Sequence, residues 1–211
     1  DGSSYFGPGH KWGAFPAASI GWVANKESFL NKVEWLSKLT FRGSYGVSGN
    51  NRILDYGFSN LLNSADYSFG LGNGTQTSGQ AATSTINANE NITWESTYQT
   101  NVGLDLALFN NRFNLSVDVY QSLTDKLLLQ QATMAFTGVP LSWNNLGSLN
   151  NKGFEFELDL DIIRSENFNW SVGGNYSTVK NEVTDMPIVD GTQITITGST
   201  TRTEVGHPVS G

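Results

Sequence analysis

The feature that most constrains this chain is the alternation of apolar and acidic residues in "KGFEFELDLDI", residues 152–162. Every second residue from Phe154 to Ile162 is apolar. The residues between them are all acids: Glu155, Glu157, Asp159 and Asp161. Because successive side chains of a β-strand point to opposite faces, this stretch predicts a strand with one apolar and one carboxylate-bearing face. Unpaired carboxylates are costly in a dry core, so the acidic face is expected to lie in water.

The same alternation recurs along the chain and predicts further strands with one apolar face. These strands are predicted at residues 12–22, 39–47, 98–108, 113–119 and 168–176. Shorter alternating stretches at residues 192–197 and near Thr203 predict the beginnings of a seventh and an eighth strand. Between the first two strands, Phe29, Val33 and Leu36 recur at helical spacing and predict one helical turn.

The connections between the predicted strands alternate between short and long. The turns "FNNR" and "IRSEN" are short, whereas three connections are long and polar, at residues 49–93, 126–145 and 181–191. Outer-membrane barrels have short periplasmic turns and long extracellular loops. About ten residues per strand, tilted by about 45°, climb roughly 23 Å, which is close to the apolar band of that membrane. Aromatic residues near the ends of the apolar faces, such as Trp22 and Tyr98, match its interfacial girdles.

The pattern therefore predicts an all-β protein, a transmembrane antiparallel up-and-down β-barrel. The alternative is a soluble antiparallel β-sandwich, whose strands also alternate. Such a sandwich would serve as a carbohydrate-binding or adhesin module, with exposed aromatic residues on its loops.

Composition excludes several other classes of protein. The 211 residues carry a formal net charge of -7 and contain no cysteine, which argues against nucleic-acid binding, disulfide scaffolds and thiolate metal sites. The chain has no apolar run of about 18 residues, which a transmembrane helix would need. The two histidines, His10 and His207, lack metal-ligand spacing. "GLGNG" lacks the lysine of a phosphate-binding loop.

Glu155 and Glu157 lie on one strand face, roughly 6.6 Å apart, a separation at which carboxylate pairs hydrolyse glycosides. Alternate positions on any polar strand face give the same geometry, so the pair is weak evidence for catalysis. We expect no catalytic, cofactor-binding or metal-binding residue, and no enzyme.

Five segments, in this order along the chain, resemble the SusC/RagA-type TonB-dependent transporters of Bacteroidetes outer membranes. They are "DGSSYFGPGHKWGAFPAASIGW" (residues 1–22), "LTFRGSYGVSGNN" (39–51), "TWESTYQTNVGLDLALFNNR" (93–112), "NLGSLNNKGFEFEL" (145–158) and "RTEVGHPVSG" (202–211). One departure is "NENITWE", residues 89–95, where the family more often has Pro-Asn-Leu before Lys-Trp-Glu.

The resemblance implies a barrel of about 22 strands with a plugged lumen. All 211 residues would belong to the barrel domain and supply about six to eight wall strands, without the plug, the signal peptide or the carboxyl-terminal strands. It also implies a multi-pass protein of the Gram-negative outer membrane that imports an oligosaccharide, glycan or peptide. Its partners would be a SusD-like surface lipoprotein acting as a lid, and TonB, which acts through a part of the protein not in this chain.

Within that picture two groups of residues are candidates for function. The polar strand faces would line the lumen, where their charges solvate the wall, bond to the plug or contact cargo. These predicted lumen residues are Arg42, Asp105, Asp118, Glu155, Glu157, Asp159 and Asp161. Aromatic residues of the long connections would stack on sugar rings, pack against the lid, or pack within their own loop. These predicted loop residues are Tyr56, Phe58, Tyr67, Phe69 and Trp143.

Overall fold

The computed structural model describes residues 1–53, 55, 57–59, 63–70, 76–83, 86–133, 139, 141–189, 192–193, 195–197 and 201–209. In chain order its strands are β1 (Ala17–Val23), β2 (Leu36–Asn50), β3 (Asn63–Gly70), β4 (Gln76–Thr83), β5 (Ile86–Asn87), β6 (Glu95–Leu108), β7 (Phe113–Asp125), β8 (Leu128–Ala132), β9 (Leu141–Asn145), β10 (Ser148–Arg164), β11 (Asn169–Asp185), β12 (Ile188–Val189), β13 (Thr192–Gln193), β14 (Ile196–Thr197) and β15 (Arg202–Thr203). A short 3₁₀ helix spans Ala24–Lys26. In the described part of the chain, none of the helices has the length and apolar character needed to cross a membrane.

The long strands form one six-stranded sheet in the order β1-β2-β6-β7-β10-β11. The pairs β1–β2, β6–β7, β7–β10 and β10–β11 are antiparallel. Strands follow one another in chain order across the sheet, so the predicted up-and-down arrangement of six strands is confirmed. The alternation in the sequence sets this arrangement, because a slip of one residue would move every apolar side chain to the polar face.

Three strand predictions need correction. The first sheet strand begins at Ala17, whereas Trp12 makes only an isolated bridge with Gly2. Pro16 lacks a backbone N–H, which limits ladder pairing just before β1. The predicted seventh strand consists of the two-residue strands β13 and β14, and the predicted eighth is the two-residue strand β15. Residues 192–203 carry only two apolar side chains, Ile194 and Ile196, so a longer strand here would have little to bury.

The short connections have the predicted form. Between β6 and β7, Phe109, Asn110 and Asn111 are left-handed, with φ of 53°, 57° and 60°. Asparagine tolerates this conformation because its short side chain bonds locally. The Phe109 N–H donates to the Trp35 carbonyl at 2.8 Å, and Arg164 Nη1 donates to the Asn110 carbonyl at 3.1 Å. The turn is therefore anchored to its neighbours.

The predicted helical turn between the first two strands is also present, although it lies earlier than expected. It is the 3₁₀ helix Ala24–Lys26, followed by a turn in which the Asn31 N–H donates to the Glu27 carbonyl at 2.8 Å.

By contacts between Cα atoms, the chain divides into two compact units. The sheet unit comprises Phe15–Ser48, Ser96–Asp125 and Gly147–Gly211. The loop unit comprises Asp1–Ala14, Gly49–Glu95 and Lys126–Leu146, and so contains two of the three predicted long connections. These connections are more ordered than the sequence predicted, since they include the β3–β4 hairpin and the three-stranded sheet β5-β9-β8.

The loop unit has its own hydrophobic core. Phe6 and Ile92 are fully buried there together with Leu128, and the Phe6 and Trp94 rings lie 5.2 Å apart between centroids. Four more side chains pack against this cluster: Ile53, Phe58, Trp94 and Trp143. Each of the three chain segments contributes only one of the buried residues, so none of them could form the core alone.

Candidate functional site: the polar face of the sheet

The register of the sheet unit places the predicted lumen residues on one face. Glu155 lies opposite Asp118 across β10 and β7, and Asp105 lies opposite Ser116 across β6 and β7. By strand alternation, Glu157 and the other acids of β10 share this face, which we call the polar face. Arg42 joins them through the ion pairs that it makes with Asp105 and Asp118.

Arg42 is the centre of an ion-pair network across β2, β6 and β7. Its Nη2 donates to Asp105 Oδ1 and to Asp118 Oδ2, each at 3.0 Å. Lys38 Nζ donates to Asp105 Oδ2 at 3.1 Å, and the Ser116 hydroxyl donates to Asp105 Oδ1 at 3.2 Å. Two cations meet two carboxylates, so this part of the polar face is balanced in charge and its side chains hold one another in place.

Glycine makes this arrangement possible at position 103. A Cβ on Gly103 would lie 2.9 Å from the Arg42 Cζ and 2.5 Å from the Asp118 Oδ1. The guanidinium therefore lies across the bare backbone of β6. Gly173 faces Asp159 and Gly153 faces Tyr120 with similarly little space. Glycines within strands often mark such close approaches.

The acids of β10 have a different environment. Asp161 pairs with Arg164 at 3.4 Å, whereas Glu155, Glu157 and Asp159 make no ion pair with any described residue. Beside them is a depression of about 300 Å³, lined in part by Asp118, Glu155 and Glu157. The polar face thus has a neutral half around Arg42 and an electronegative half along β10.

The opposite face of the same sheet is apolar and open, and we call it the apolar face. Ile20, Val102 and Val119 are 76%, 61% and 54% exposed. Phe154 and Tyr176 are also exposed. Monomeric soluble proteins rarely leave a continuous apolar surface of this kind uncovered. The exposure contradicts the soluble β-sandwich alternative, in which these side chains would pack against a second sheet.

The predicted loop residues are only partly described. Tyr56 lies outside the described residues, and Tyr67 and Phe69 belong to β3 with side chains that also lie outside them. Phe58 and Trp143 are half-buried and pack against the core of the loop unit. Trp143 lies in β9 and not in an irregular loop. Both side chains thus contact the core of the loop unit, and their part in binding sugar or a lid protein stays a prediction.

Two polar residues that the sequence did not identify hold the loop unit together. Glu95 accepts hydrogen bonds from the Leu128 N–H at 2.9 Å and from Asn50 Nδ2 at 3.0 Å. Asn145 accepts from the Thr93 N–H at 2.8 Å and donates back to the Thr93 carbonyl at 2.9 Å. Both belong to segments that resemble the transporter family, which is the one signal that could have marked them.

The described residues contain no cluster of three or more His, Asp or Glu side chains arranged to hold a metal ion. Asp105 and Asp118 converge only on Arg42, which neutralises them, and the acids of β10 stand in a row along one strand, so the arrangement favours an electrostatic surface over a reaction centre.

A single sheet with one charged face and one exposed apolar face is the wall of a membrane β-barrel. Residues 1–203 match the family model described as TonB dependent receptor-like, beta-barrel, and the chain belongs to this family. It is 36% identical over 191 residues to a TonB-dependent receptor of Formosa agariphila, covering 90% of this chain and 18% of that protein. It is 34% identical over 195 residues to the TonB-dependent receptor SusC of Bacteroides thetaiotaomicron, covering 88% of this chain and 18% of SusC.

Solved structures agree. The RagAB peptide importer in its closed-closed state matches with a TM-score of 0.82 and 25% identity, over 98% of this chain and 22% of that chain. The open-open state matches with a TM-score of 0.80. The resemblance to SusC/RagA-type transporters and the partial antiparallel barrel are therefore confirmed. The chain spans about 18% of the length of the curated relatives named above.

Proposed function

We propose that this chain is part of the wall of an outer-membrane importer driven by TonB, with the polar face lining the lumen and the apolar face in lipid. The observation that carries the proposal is the contrast between the two faces of one sheet. An exposed apolar face is stable in lipid, and the unpaired acids of β10 are stable in a water-filled lumen.

The length of the strands supports this placement. On β6 the apolar face extends from Tyr98 to Leu108, which is roughly 33 Å along the strand and about 23 Å across the membrane at a tilt of about 45°. Tyr98 at one end, and Trp22 and Trp170 towards the end with the short turns, supply the aromatic side chains that favour the two interfaces. The short turns would face the periplasm, and the long connections would face the outside.

In this placement the polar face has two roles. The network around Arg42 places paired charges on the lumen side of β2, β6 and β7, and so forms a firm surface for a plug domain. The acids of β10 leave an electronegative strip that would repel anionic cargo and attract water or cationic groups. The seven predicted lumen residues remain candidates for contact with plug or cargo.

Cargo and partners are proposed from relatives. One relative is SusC, and the solved neighbours are described as a peptide importer. We propose an oligosaccharide, glycan or peptide as cargo, delivered by a SusD-like surface lipoprotein that covers the loop unit. TonB would act through another part of the full-length protein and supply the energy for passage, with no covalent chemistry in this chain.

Growth experiments test the import. Bacteria that lack the gene for the full-length receptor would be grown with single oligosaccharides or peptides as the limiting nutrient. We expect slower growth on one class of nutrient, restored by the intact gene but not in cells that lack TonB. Restoration without TonB, or no growth defect on any oligosaccharide or peptide, would contradict the proposal.

Cysteine labelling tests the two faces, because these 211 residues contain no native cysteine. In the full-length receptor in lipid nanodiscs, Glu157→Cys should react with a water-soluble maleimide and its neighbour Phe156→Cys should not. The reverse pattern would mean that the faces are wrongly assigned.

A further inference from the structure

Two lysines lie side by side at one end of the apolar face. Lys152 of β10 is directly opposite Lys180 of β11, and Gln121 of β7 lies on the other side of Lys152. Both lysines are exposed. Like charges directly opposite one another on neighbouring strands destabilise a sheet. An anion held between the two amines would remove this penalty.

The two lysines border a groove on the apolar face. It has a volume of about 520 Å³ and is lined in part by Val102, Val119 and Phe154. Thr100 lies on the same level as Lys152, because both are opposite Gln121, whereas Thr178 is directly opposite Phe154. One end of the groove thus carries the amines and the Thr100 hydroxyl, and the rest is apolar except for the Thr178 hydroxyl. A molecule that fits it has an apolar chain joined to an anionic, hydrogen-bonding head.

The charges near the groove favour an anion. Lys180 Nζ donates to Glu182 Oε2 at 2.7 Å, whereas Lys152 makes no ion pair with any residue in the described part of the chain. Two amines and one carboxylate leave one positive charge at this spot, although the whole chain has a net charge of -7. Between this level and Trp170, the apolar-face positions of β10 and β11 carry no charged residue.

The height of the lysines matches the edge of a bilayer. Lys152 lies eleven positions along β10 from Ile163, which pairs with Trp170 near the short turns. Eleven residues extend roughly 36 Å along the strand and about 25 Å across the membrane, which is the height of the apolar band of such barrels. The amines therefore stand where acyl chains end and headgroups begin.

We propose that Lys152 and Lys180 bind a phosphate on the headgroup of an outer-leaflet glycolipid, whose acyl chain lies in the groove over Val102, Val119 and Phe154. This inference rests on the proposed function, since it requires the apolar face to be in lipid and the long connections to be outside. The threonine hydroxyls would bond to sugar or ester oxygens beside the phosphate. The site would fix one lipid against the wall at β10 and β11.

The test uses the full-length receptor in phosphatidylcholine nanodiscs that contain diphosphoryl lipid A. Native mass spectrometry counts the lipid A molecules that stay bound. The double variant Lys152→Gln with Lys180→Gln should bind about thirtyfold more weakly, from the contribution of two lysines close to an anionic membrane surface. Lys26→Gln is the matched control, since Lys26 is an exposed lysine in the connection between β1 and β2 and should leave binding unchanged.

Further arms separate the possible outcomes. Lipid A from which the phosphates have been removed should bind wild type and double variant equally weakly, and excess inorganic phosphate should not displace intact lipid A. Equal binding of intact lipid A by wild type and double variant would overturn the site, and displacement by inorganic phosphate would overturn the lipid as its ligand. Maleimide labelling at positions 156 and 157 in the same nanodiscs keeps the two proposals apart. If position 157 is labelled and position 156 is not, but the double lysine variant binds lipid A as well as wild type, only the proposed lipid site is refuted. If position 156 is labelled and position 157 is not, the proposed function itself is refuted.

Discussion

A scan of arginine along β10 tests the assignment of the two faces and measures depth in the membrane. If Lys152 and Ile163 mark the edges of the apolar band, its middle lies between Glu157 and Leu158. By strand geometry Leu158 is then about 1 Å from the midplane, Phe156 about 3.5 Å and Phe154 about 8 Å. A cation facing lipid at the midplane costs about 2–4 kcal/mol, and the cost falls to about 0–1 kcal/mol near the interfaces.

We therefore expect Leu158→Arg and Phe156→Arg to destabilise the full-length receptor by about 2–4 kcal/mol, and Phe154→Arg by about 1–2 kcal/mol. The matched control is Glu157→Arg, between the two most sensitive positions. It faces the lumen beside other acids, so its cost should stay within about 0.5 kcal/mol.

The assay is the folded fraction of receptor in lipid vesicles along a urea titration, read from heat-modifiable gel mobility. If arginine at positions 156 and 157 lowers stability equally, the assignment of the two faces is refuted. If Phe154→Arg lowers stability as much as Leu158→Arg, the assignment of the faces stands but the predicted dependence on depth is refuted.

Three further predictions concern packing. Gly103→Ala should lower stability by about 1–3 kcal/mol in the same urea titration, because its Cβ would displace the guanidinium of Arg42, whereas Gly21→Ala, where a Cβ meets open space, should be neutral within about 0.5 kcal/mol. Ile92→Ala should cost about 2–5 kcal/mol locally, seen as faster proteolysis of the loop unit while the heat-modifiable mobility of the barrel stays unchanged. Glu95→Ala should accelerate the same proteolysis by leaving the buried end of β8 without its acceptor, a loss of about 1–3 kcal/mol. Proteolysis at the wild-type rate in either loop variant would contradict the role given to that residue.

The six sheet strands could be predicted because their information is local. A period of two over about ten residues is enough to define a strand and its faces, and residues 154–162 of β10 show it without interruption. The ends of the strands are less predictable. Residues 12–16 continue the alternation of β1, yet the chain up to Ala14 belongs to the loop unit. Alternation states which way a side chain points, but not whether a neighbouring strand is present to pair with it.

The ion-pair network could not be predicted, because it depends on distant parts of the chain. Arg42 is 63 residues from Asp105 and 76 residues from Asp118. The sequence placed all three on polar strand faces, but their contact depends on the register between β2 and β6. The long connection of residues 51–94 joins those strands and gives no local signal of that register.

The hydrophobic core of the loop unit could not be predicted for the same reason, since it also depends on contacts between distant parts of the chain. Phe6, Ile92 and Leu128 come from three separate segments, each too polar to predict a core. Their burial follows from the meeting of the segments, and Glu95 and Asn145 bind partners that lie 33 and 52 residues away. Polar composition predicted loops here, while non-local hydrogen bonds and three buried side chains produce a folded unit.

Substitutions that change charge are expected to cost different amounts of stability on the two faces of the sheet. In the proposed lumen, half-exposed ion pairs such as Arg42–Asp118 contribute at most about 1 kcal/mol each, because water screens them. Charges can therefore be exchanged there at little cost, provided that glycines such as Gly103 keep their space. On the apolar face, a single cation near the midplane costs more than any one of these pairs contributes. The lumen is thus the face on which cargo preference can change while the barrel still assembles.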